Sequence, residues 1–195
     1  SILALVSGDR RILDAHLAAV KSTISQLVEK QFAESRNYER SRSGEPQKTG
    51  NLVYALFAHD TSRALDPQGH IHAVVANLTR DAKGTWKALW NGEIWKNNTT
   101  IGQFYHAAFR AQLQKLGYET QAAGKHGSFE IKGVPAEVIK AFSTRTTEIE
   151  AKIAEVGATR LETKKQITLY TRDPKLVVED RTALVEGWKT RAAEL

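Results

Sequence analysis

Three of the six histidines lie close together in the sequence, at spacings that suit a metal site. One residue separates His70 from His72, so on a β-strand their side chains share a face. A hairpin to the strand that ends at His59 would bring a third imidazole to the same end of that face. Neutral imidazole is the commonest protein metal ligand, and three imidazoles leave coordination positions open for catalysis. The spacing therefore predicts one divalent ion (Mg²⁺, Mn²⁺ or Zn²⁺), although a His-x-His pair alone also suits a half-buried polar strand.

The elements around these histidines predict the required hairpin. Residues 51–60 and 70–79 have the composition of strands, and the segment between them contains a turn signal at Pro67. Two strands joined so closely should pair antiparallel, with a third short strand at 85–89. His16 replaces an apolar residue on a long helix and is expected at the edge of the core. The last two histidines, His106 and His126, are expected in solvent.

Helical patterns flank the hairpin on both sides. The apolar spacing predicts helices over residues 9–35, 100–116 and 135–157, and a last helix that starts near Asp180. Two more strands are predicted at 118–121 and 128–131. Residues 36–50 are almost without apolar side chains and are predicted to form a mobile loop. This order indicates an α+β fold with an antiparallel sheet, in one domain over residues 1–195.

The composition excludes several classes of protein. Of 195 residues, 41% are hydrophobic and 26% charged, which is typical of a globular chain. No apolar run approaches the roughly 20 residues of a membrane span, and no secretory signal is evident, so a cytoplasmic location is expected. Cysteine is absent, which excludes disulfides, thiolate sites and cysteine nucleophiles. The net charge of +6 is compatible with a polyanionic partner, but it is spread evenly along the chain.

Three segments together resemble the conjugative relaxases, which are HUH single-stranded DNA endonucleases of the MobF class. The segments are His59-Asp-Thr-Ser-Arg63, Asp66-Pro-Gln68 and His70-Ile-His72-Ala-Val-Val-Ala-Asn77. The resemblance extends along nearly the whole chain. The family usually has leucine at the position of Gly69 and threonine at that of Ile71, and neither position is a ligand.

The resemblance implies a sheet palm packed with helices and a function in bacterial conjugation. Such enzymes nick single-stranded DNA at a plasmid origin of transfer. Their three histidines, here His59, His70 and His72, hold one divalent metal at the scissile phosphate. A tyrosine attacks the phosphorus and leaves a 5′-phosphotyrosyl link and a free 3′-OH, so the strand can later be rejoined.

Other site residues follow from the same resemblance. Asp60 and Gln68 are candidates for orienting the imidazoles, with stabilisation of the turn as an equal alternative. Arg63 is a candidate phosphate ligand, or one half of an ordinary salt bridge. The basic stretch 158–178 adds candidate contacts to the DNA backbone, or a solvated loop, at Lys164, Lys165 and Arg172.

The nucleophilic tyrosine is expected upstream of this chain. Relaxases carry it near the N-terminus, whereas this chain starts in an apolar run and contains no methionine. We therefore expect the C-terminal two-thirds of a relaxase domain, with a C-terminal helicase region in the parent chain. Among the tyrosines present, only Tyr38 merits a test as nucleophile.

Three other functions stay open at this point. A HUH replication initiator shares the chemistry. A metal-dependent oxygenase or hydrolase could use the same histidines on a small molecule, although it would favour a barrel with more strands. A non-catalytic module for single-stranded DNA would bind no metal and stack bases on Trp86, Trp90 and Trp95, of which the first two are also typical of a core.

Overall fold

A computed structural model of the chain describes residues 1–39, 42–157, 163, 166, 167, 169 and 178–195. Its α-helices are α1 (Ile2–Leu5), α2 (Arg11–Thr23), α3 (Gly92–Lys96), α4 (Asn98–Lys115), α5 (Ala136–Ala141), α6 (Thr144–Val156) and α7 (Arg181–Ala193). A π-helical segment, Ile24–Phe32, continues α2. The strands are β1 (Glu34–Glu39), β2 (Arg42–Lys48), β3 (Tyr54–Thr61), β4 (Pro67–Val75), β5 (Thr79–Arg80), β6 (Trp86–Lys87), β7 (Leu89–Trp90), β8 (Thr120–Ala122) and β9 (Phe129–Ile131).

The chain divides into two compact units. The first contains residues 1–10, 59–70 and 133–195, and the second contains residues 11–58 and 71–132. Both are assembled from segments that alternate along the sequence, and β3 and β4 run from one unit into the other. The α+β class with antiparallel pairing is confirmed, whereas a single domain over residues 1–195 stays a prediction. No described helix is both long and apolar enough to cross a membrane.

The long helix predicted over residues 9–35 is present as α2, from Arg11, and the π-helical segment that continues it to Phe32. A break at Gly8, which has a φ of 82°, separates α1 from α2. The hydroxyl of Thr23 then donates to the Ala19 carbonyl at 2.8 Å, and the helix widens from the next residue onward. A hydroxyl that bonds back to the preceding turn often bends a helix, and here it coincides with the change to the π-helical form.

The core of the second unit confirms the apolar spacing of this helix. Ile24 and Val28 pack with Ala33, Leu52 and Leu89 in one buried cluster. Part of β3 lies against that cluster through alternate side chains, because Tyr54 and Leu56 face inward. The opposite face of β3 is therefore turned away from this core.

The loop predicted over residues 36–50 is wrong, because most of this stretch forms a two-stranded ribbon. Strand β1 pairs antiparallel with β2, with Glu34 opposite Lys48 and Asn37 opposite Gly44. Strand β7 pairs with the other edge of β1. Backbone hydrogen bonds suffice to form such a ribbon, and the side chains at 45–48 are exposed. The apolar alternation that marks a half-buried strand is consequently missing from the sequence.

The predicted hairpin is confirmed in β3 and β4, which pair in a two-stranded sheet. Their connection, residues 62–66, is far too short for the crossover that parallel strands need. The Ala76 amide donates to the Val53 carbonyl at 2.8 Å, and the Ser62 amide donates to the Asp66 carbonyl at 2.9 Å. These bonds place the start of β3 beside the end of β4, and the end of β3 beside the start of β4.

The first unit has a core of its own. Val6, Phe142 and Trp188 form its buried centre, with side chains of α1 and α7 around them. Helix α7 starts as predicted, because the Asp180 carboxylate accepts from the amides of Thr182 and Ala183 at 2.8 and 3.0 Å. The predicted helix over 135–157 is interrupted after Ala141 and resumes at Thr144.

Candidate functional site

The first unit brings two of the three predicted ligands together. His59 is near the end of β3 and His70 is near the start of β4, and their ring centroids are 5.3 Å apart with an interplanar angle of 22°. They are therefore neighbours across the hairpin, as the predicted pairing requires.

A backbone carbonyl orients His70. The His70 Nδ1 atom lies 2.9 Å from the carbonyl oxygen of Gln68. With the proton on Nδ1, the ring donates to this carbonyl and Nε2 becomes the acceptor nitrogen, which is the form of imidazole that binds a metal. Gln68 thus contacts this imidazole through its main chain, and its predicted role in orienting the imidazoles stays a prediction.

His72 lies two residues further along β4 and is exposed. Because side chains alternate along a strand, it projects from the same side of β4 as His70. Within the described parts of the chain, no three His, Asp or Glu side chains stand in an arrangement ready to hold a metal ion. The rings of His59 and His70 lie face to face, so they would have to rotate to converge on one point.

Asp60 points to a partner that the sequence did not suggest. The Arg181 guanidinium, at the start of α7, donates a hydrogen bond to each carboxylate oxygen of Asp60. The bond from Nη1 is 2.9 Å long. Since Asp60 adjoins His59 in β3, its side chain projects from the other side of the strand. Its predicted role in orienting an imidazole stays a prediction.

The loop between the two strands is fixed from within and from outside. Leu65 has a φ of 61°, which is uncommon for a residue other than glycine. Its amide donates to the Ser62 carbonyl at 3.2 Å, and the Ser62 hydroxyl accepts from the Asp66 amide at 3.1 Å. The indole of Trp188 donates to the Leu65 carbonyl at 2.8 Å. Arg63 lies half-buried in the same loop, and its role as a phosphate ligand stays a prediction.

Asp66 is the site residue that the sequence reasoning missed. It is only 4% exposed, yet it is ionisable. Its carboxylate accepts from the amide and hydroxyl of Thr144 at 2.9 and 3.1 Å, and from Arg191 at 3.3 Å. The segment Asp66-Pro-Gln68 carries part of the family resemblance, but both partners of the carboxylate are far away in sequence, so nothing in the segment indicated these contacts.

The predicted basic contacts to DNA lie outside the described residues. These are Lys164, Lys165 and Arg172. Other cationic and aromatic side chains are exposed in the second unit, where the Arg80 guanidinium lies 6.0 Å from the Trp86 ring centroid and Arg36 lies 5.2 Å from that of Trp90.

Trp86 and Trp90, for which a core position was the alternative to base stacking, are both exposed, Trp90 at 36%. Trp86 is 58% exposed and Trp95 is 69% exposed. The core prediction for Trp86 is therefore wrong, because β6 is a short strand paired only with β5 in its own small sheet. Large exposed rings beside cations are suited to stacking on nucleobases.

Of the remaining three histidines, two are exposed or half-buried as predicted and one is not. His16 is half-buried against Tyr105 and Phe109, with ring centroids 5.6 and 5.2 Å away, as a place at the core edge requires. His126 is exposed as expected. His106 is half-buried and meets the edge of the Phe129 ring, so its expected place in solvent is wrong.

Two of the described tyrosine side chains, Tyr54 and Tyr105, are poorly suited to attack a phosphate. Tyr54 packs against the core of the second unit. Burial raises the pKa of Tyr105 to about 12, which disfavours the phenolate. The Tyr38 side chain and all of Tyr170 lie outside the described residues.

Comparison with known proteins gives one consistent result. The family model of TrwC relaxases matches residues 1–195. The chain is 38% identical over 199 residues to the multifunctional conjugation protein TraI of Escherichia coli, across 97% of this chain and 11% of that protein. It therefore spans about a tenth of the length of the curated relative that it matches.

Solved structures agree in sequence and in fold. The conjugative relaxase TrwC in a metal-free complex with oriT DNA is 38% identical, with a TM-score of 0.90 over 99% of this chain and 68% of that one. A copper-bound complex of TrwC with oriT DNA matches with a TM-score of 0.89 and the same identity, over 99% of this chain and 66% of that one.

Proposed function

The chain belongs to the TrwC relaxase family, and from this premise we propose that it nicks single-stranded DNA at an origin of transfer in conjugation. The observation that carries the proposal is the pair formed by His59 and His70, with the His70 ring oriented by a backbone carbonyl. An imidazole whose second nitrogen bonds to a carbonyl is the usual arrangement of a metal-ligating histidine.

We propose that His59, His70 and His72 hold the metal. The donor set fits a divalent ion, since it offers three imidazoles and no thiolate. The pairing of β3 with β4 supports a common face, because His59 neighbours His70, and His72 follows on the same side of β4. Both His59 and His72 are exposed, so a phosphate can reach them.

A divalent ion bound there would draw negative charge from a non-bridging oxygen of the scissile phosphate. The chain's own contribution is to prepare the ligands. The Gln68 carbonyl keeps the proton on His70 Nδ1, so the ring need not exchange tautomers when the site fills. Arg63, in the loop between the two strands, is the proposed contact to a flanking phosphate.

The attacking tyrosine, we propose, is not among the residues of this chain. The raised pKa of Tyr105 and the core position of Tyr54 support this. Incubating the chain with Mn²⁺ and a single-stranded origin oligonucleotide should give no covalent adduct on a denaturing gel. An adduct that disappears in Tyr38→Phe would overturn this part of the proposal and assign the attack to Tyr38.

Two surfaces of the second unit are proposed to hold the DNA. The ribbon of β1 and β2 is polar, and a two-stranded ribbon fits the major groove of a folded DNA segment. Exposed Trp86 and Trp95 offer stacking faces for unpaired bases. The predicted helicase region and cytoplasmic location stay predictions.

Binding to DNA at different salt concentrations tests the proposed substrate. Phosphate contacts release counterions, so the logarithm of the association constant should fall linearly with the logarithm of salt, by about 0.7 per phosphate contacted in a single strand. The comparison uses a single-stranded origin oligonucleotide and its fully paired duplex. Equal affinity for both, or no change between about 50 and 200 mM salt, would contradict the proposal.

A further inference from the structure

We propose that helix α7 positions the histidine-bearing hairpin end, with Arg181, Trp188 and Arg191 as positioning residues for the metal site. This inference rests on the proposed function, because it concerns the site formed by His59 and His70. All of these residues lie in the first unit.

The three residues occupy one face of the helix. At about 100° per residue, Trp188 lies about 20° and Arg191 about 80° around the helix from Arg181, so the three side chains share one side of it. Each contacts a different point of the chain between His59 and His70. Arg181 binds the Asp60 carboxylate, Trp188 donates to the Leu65 carbonyl, and Arg191 donates to the Asp66 carboxylate. The helix therefore fixes this segment near its beginning, at Asp60, and in its middle, at Leu65 and Asp66.

The contact at Asp60 acts on the neighbour of a ligand. A guanidinium that binds both oxygens of a carboxylate fixes the orientation of that side chain as well as its distance. Asp60 and His59 are consecutive in β3 and project from opposite sides. Holding Asp60 in place therefore limits the rotation of β3 that would carry His59 away from His70.

The contact at Leu65 holds a backbone conformation that its sequence does not favour. A positive φ at leucine is costly and persists only where surrounding contacts maintain it. The indole N–H of Trp188 satisfies the carbonyl of this residue at 2.8 Å, and the indole is itself only 4% exposed. A buried donor of this kind stabilises one conformation of the loop. It thereby fixes where β4 begins, three residues before His70.

The contact at Asp66 joins three elements. Its carboxylate accepts from Thr144 at the start of α6 and from Arg191 of α7. Arg191 also donates to the Ala141 carbonyl at the end of α5. The loop is thus fixed to the helical part of the first unit, and its position cannot change without breaking these contacts.

The expected consequence is a loss of metal affinity when these contacts are removed. Partners that orient metal ligands typically change affinity by about 10- to 100-fold when mutated, because the ligands no longer stand ready. Arg181→Gln removes the fork and the charge at an exposed helix end, so the chain should still fold. Trp188→Phe keeps an aromatic ring in the core and removes the indole donor.

Zn²⁺ titration by calorimetry on the whole chain provides the test. We expect roughly tenfold weaker binding in Arg181→Gln and in Trp188→Phe than in the wild type. The matched control is Lys189→Gln, which removes a charge from the same helix but breaks only a surface pair with Glu186. Arg181→Lys restores the charge without the fork, and its affinity should lie between those of the wild type and Arg181→Gln.

A second measurement separates this inference from the proposed function. NMR spectra of the imidazoles without metal report the environments of His59 and His70 directly. We expect their resonances to shift or broaden in Arg181→Gln and to stay unchanged in Lys189→Gln. If the wild type bound no Zn²⁺, the proposed metal site would be contradicted. The NMR comparison is made without metal, so it would still test whether Arg181 positions His59 and His70. Unchanged imidazole resonances, or native Zn²⁺ affinity with only a lower melting temperature, would overturn the inference.

Discussion

The phenol of Tyr105, which is half-buried, makes the stability of the second unit depend on pH. It packs against Phe109, with ring centroids 5.9 Å apart, and burial raises its pKa to about 12. An unfolded tyrosine titrates near pH 10, so the folded state favours the neutral phenol. The stabilisation is fully present below about pH 10 and is lost as the pH rises to about 12, because the unfolded state loses its proton first.

Replacing this tyrosine should remove that part of the alkaline loss. We expect Tyr105→Phe to lose roughly 2 kcal/mol less of its unfolding free energy than the wild type between about pH 9 and pH 12. Urea unfolding at a series of pH values, followed by circular dichroism, measures the difference. Parallel curves for the two proteins would show that the phenol of Tyr105 is not protected from ionisation.

At the same scale, the sequence indicated the ligands but not their support. His70 and His72 were recognisable because one intervening residue places both on one side of a strand, and His59 followed from the hairpin. Asp66 gave no such signal, because its partners Thr144 and Arg191 are brought to it only by the folded chain. Sequence patterns show local periodicity. The hydrogen-bond donors that surround a buried carboxylate come from distant parts of the chain, and local periodicity does not show them.

The ribbon of β1 and β2 is the element whose role is easiest to separate from the metal site. Arg36 is exposed on β1, where its guanidinium lies over the Trp90 ring. A cation held on an aromatic ring at the base of a polar ribbon is well placed to meet a phosphate.

Removing that cation should weaken DNA binding without affecting the metal. We expect Arg36→Gln to reduce the magnitude of the salt slope by about 0.7 to 0.9, the value of one phosphate contact. Lys132→Gln is the matched control, since it removes one charge at a surface pair with Glu119 in the same unit. Fluorescence anisotropy at several salt concentrations measures both slopes. The same loss in the two variants would mean that only net charge matters.

Elements with an apolar stripe or a clear stop signal could be predicted from the sequence. Helix α4 ends just before Gly117, and α6 ends at Gly157 with a φ of 64°, as the glycines indicated. The ribbon could not be predicted, because its strands are held by backbone pairing and carry polar side chains. The widening of the N-terminal helix after Thr23 was also missed, since the apolar spacing continues through it.

At the scale of the whole chain, each of the two compact units has a core of its own. Helices α5, α6 and α7 gather in the first unit, and the ribbon and α4 belong to the second. The hairpin carries His59 and His70 in one unit and His72 in the other. Antiparallel pairing with flanking helices could be predicted from the order of elements. The division into two units could not be predicted, because its boundaries fall within β3 and β4, where the amino-acid composition does not change.

The central claim is that the three histidines bind one divalent ion, and Zn²⁺ calorimetry of two histidine variants tests it most directly. His72→Ala removes the proposed ligand on β4. His126→Asn removes an exposed imidazole elsewhere, and asparagine tolerates the positive φ of 58° at that position. We expect one site per chain in the wild type and in His126→Asn, and loss of most of the affinity in His72→Ala. Equal affinity in all three proteins would show that His72 is only a strand residue and would contradict the proposed metal site.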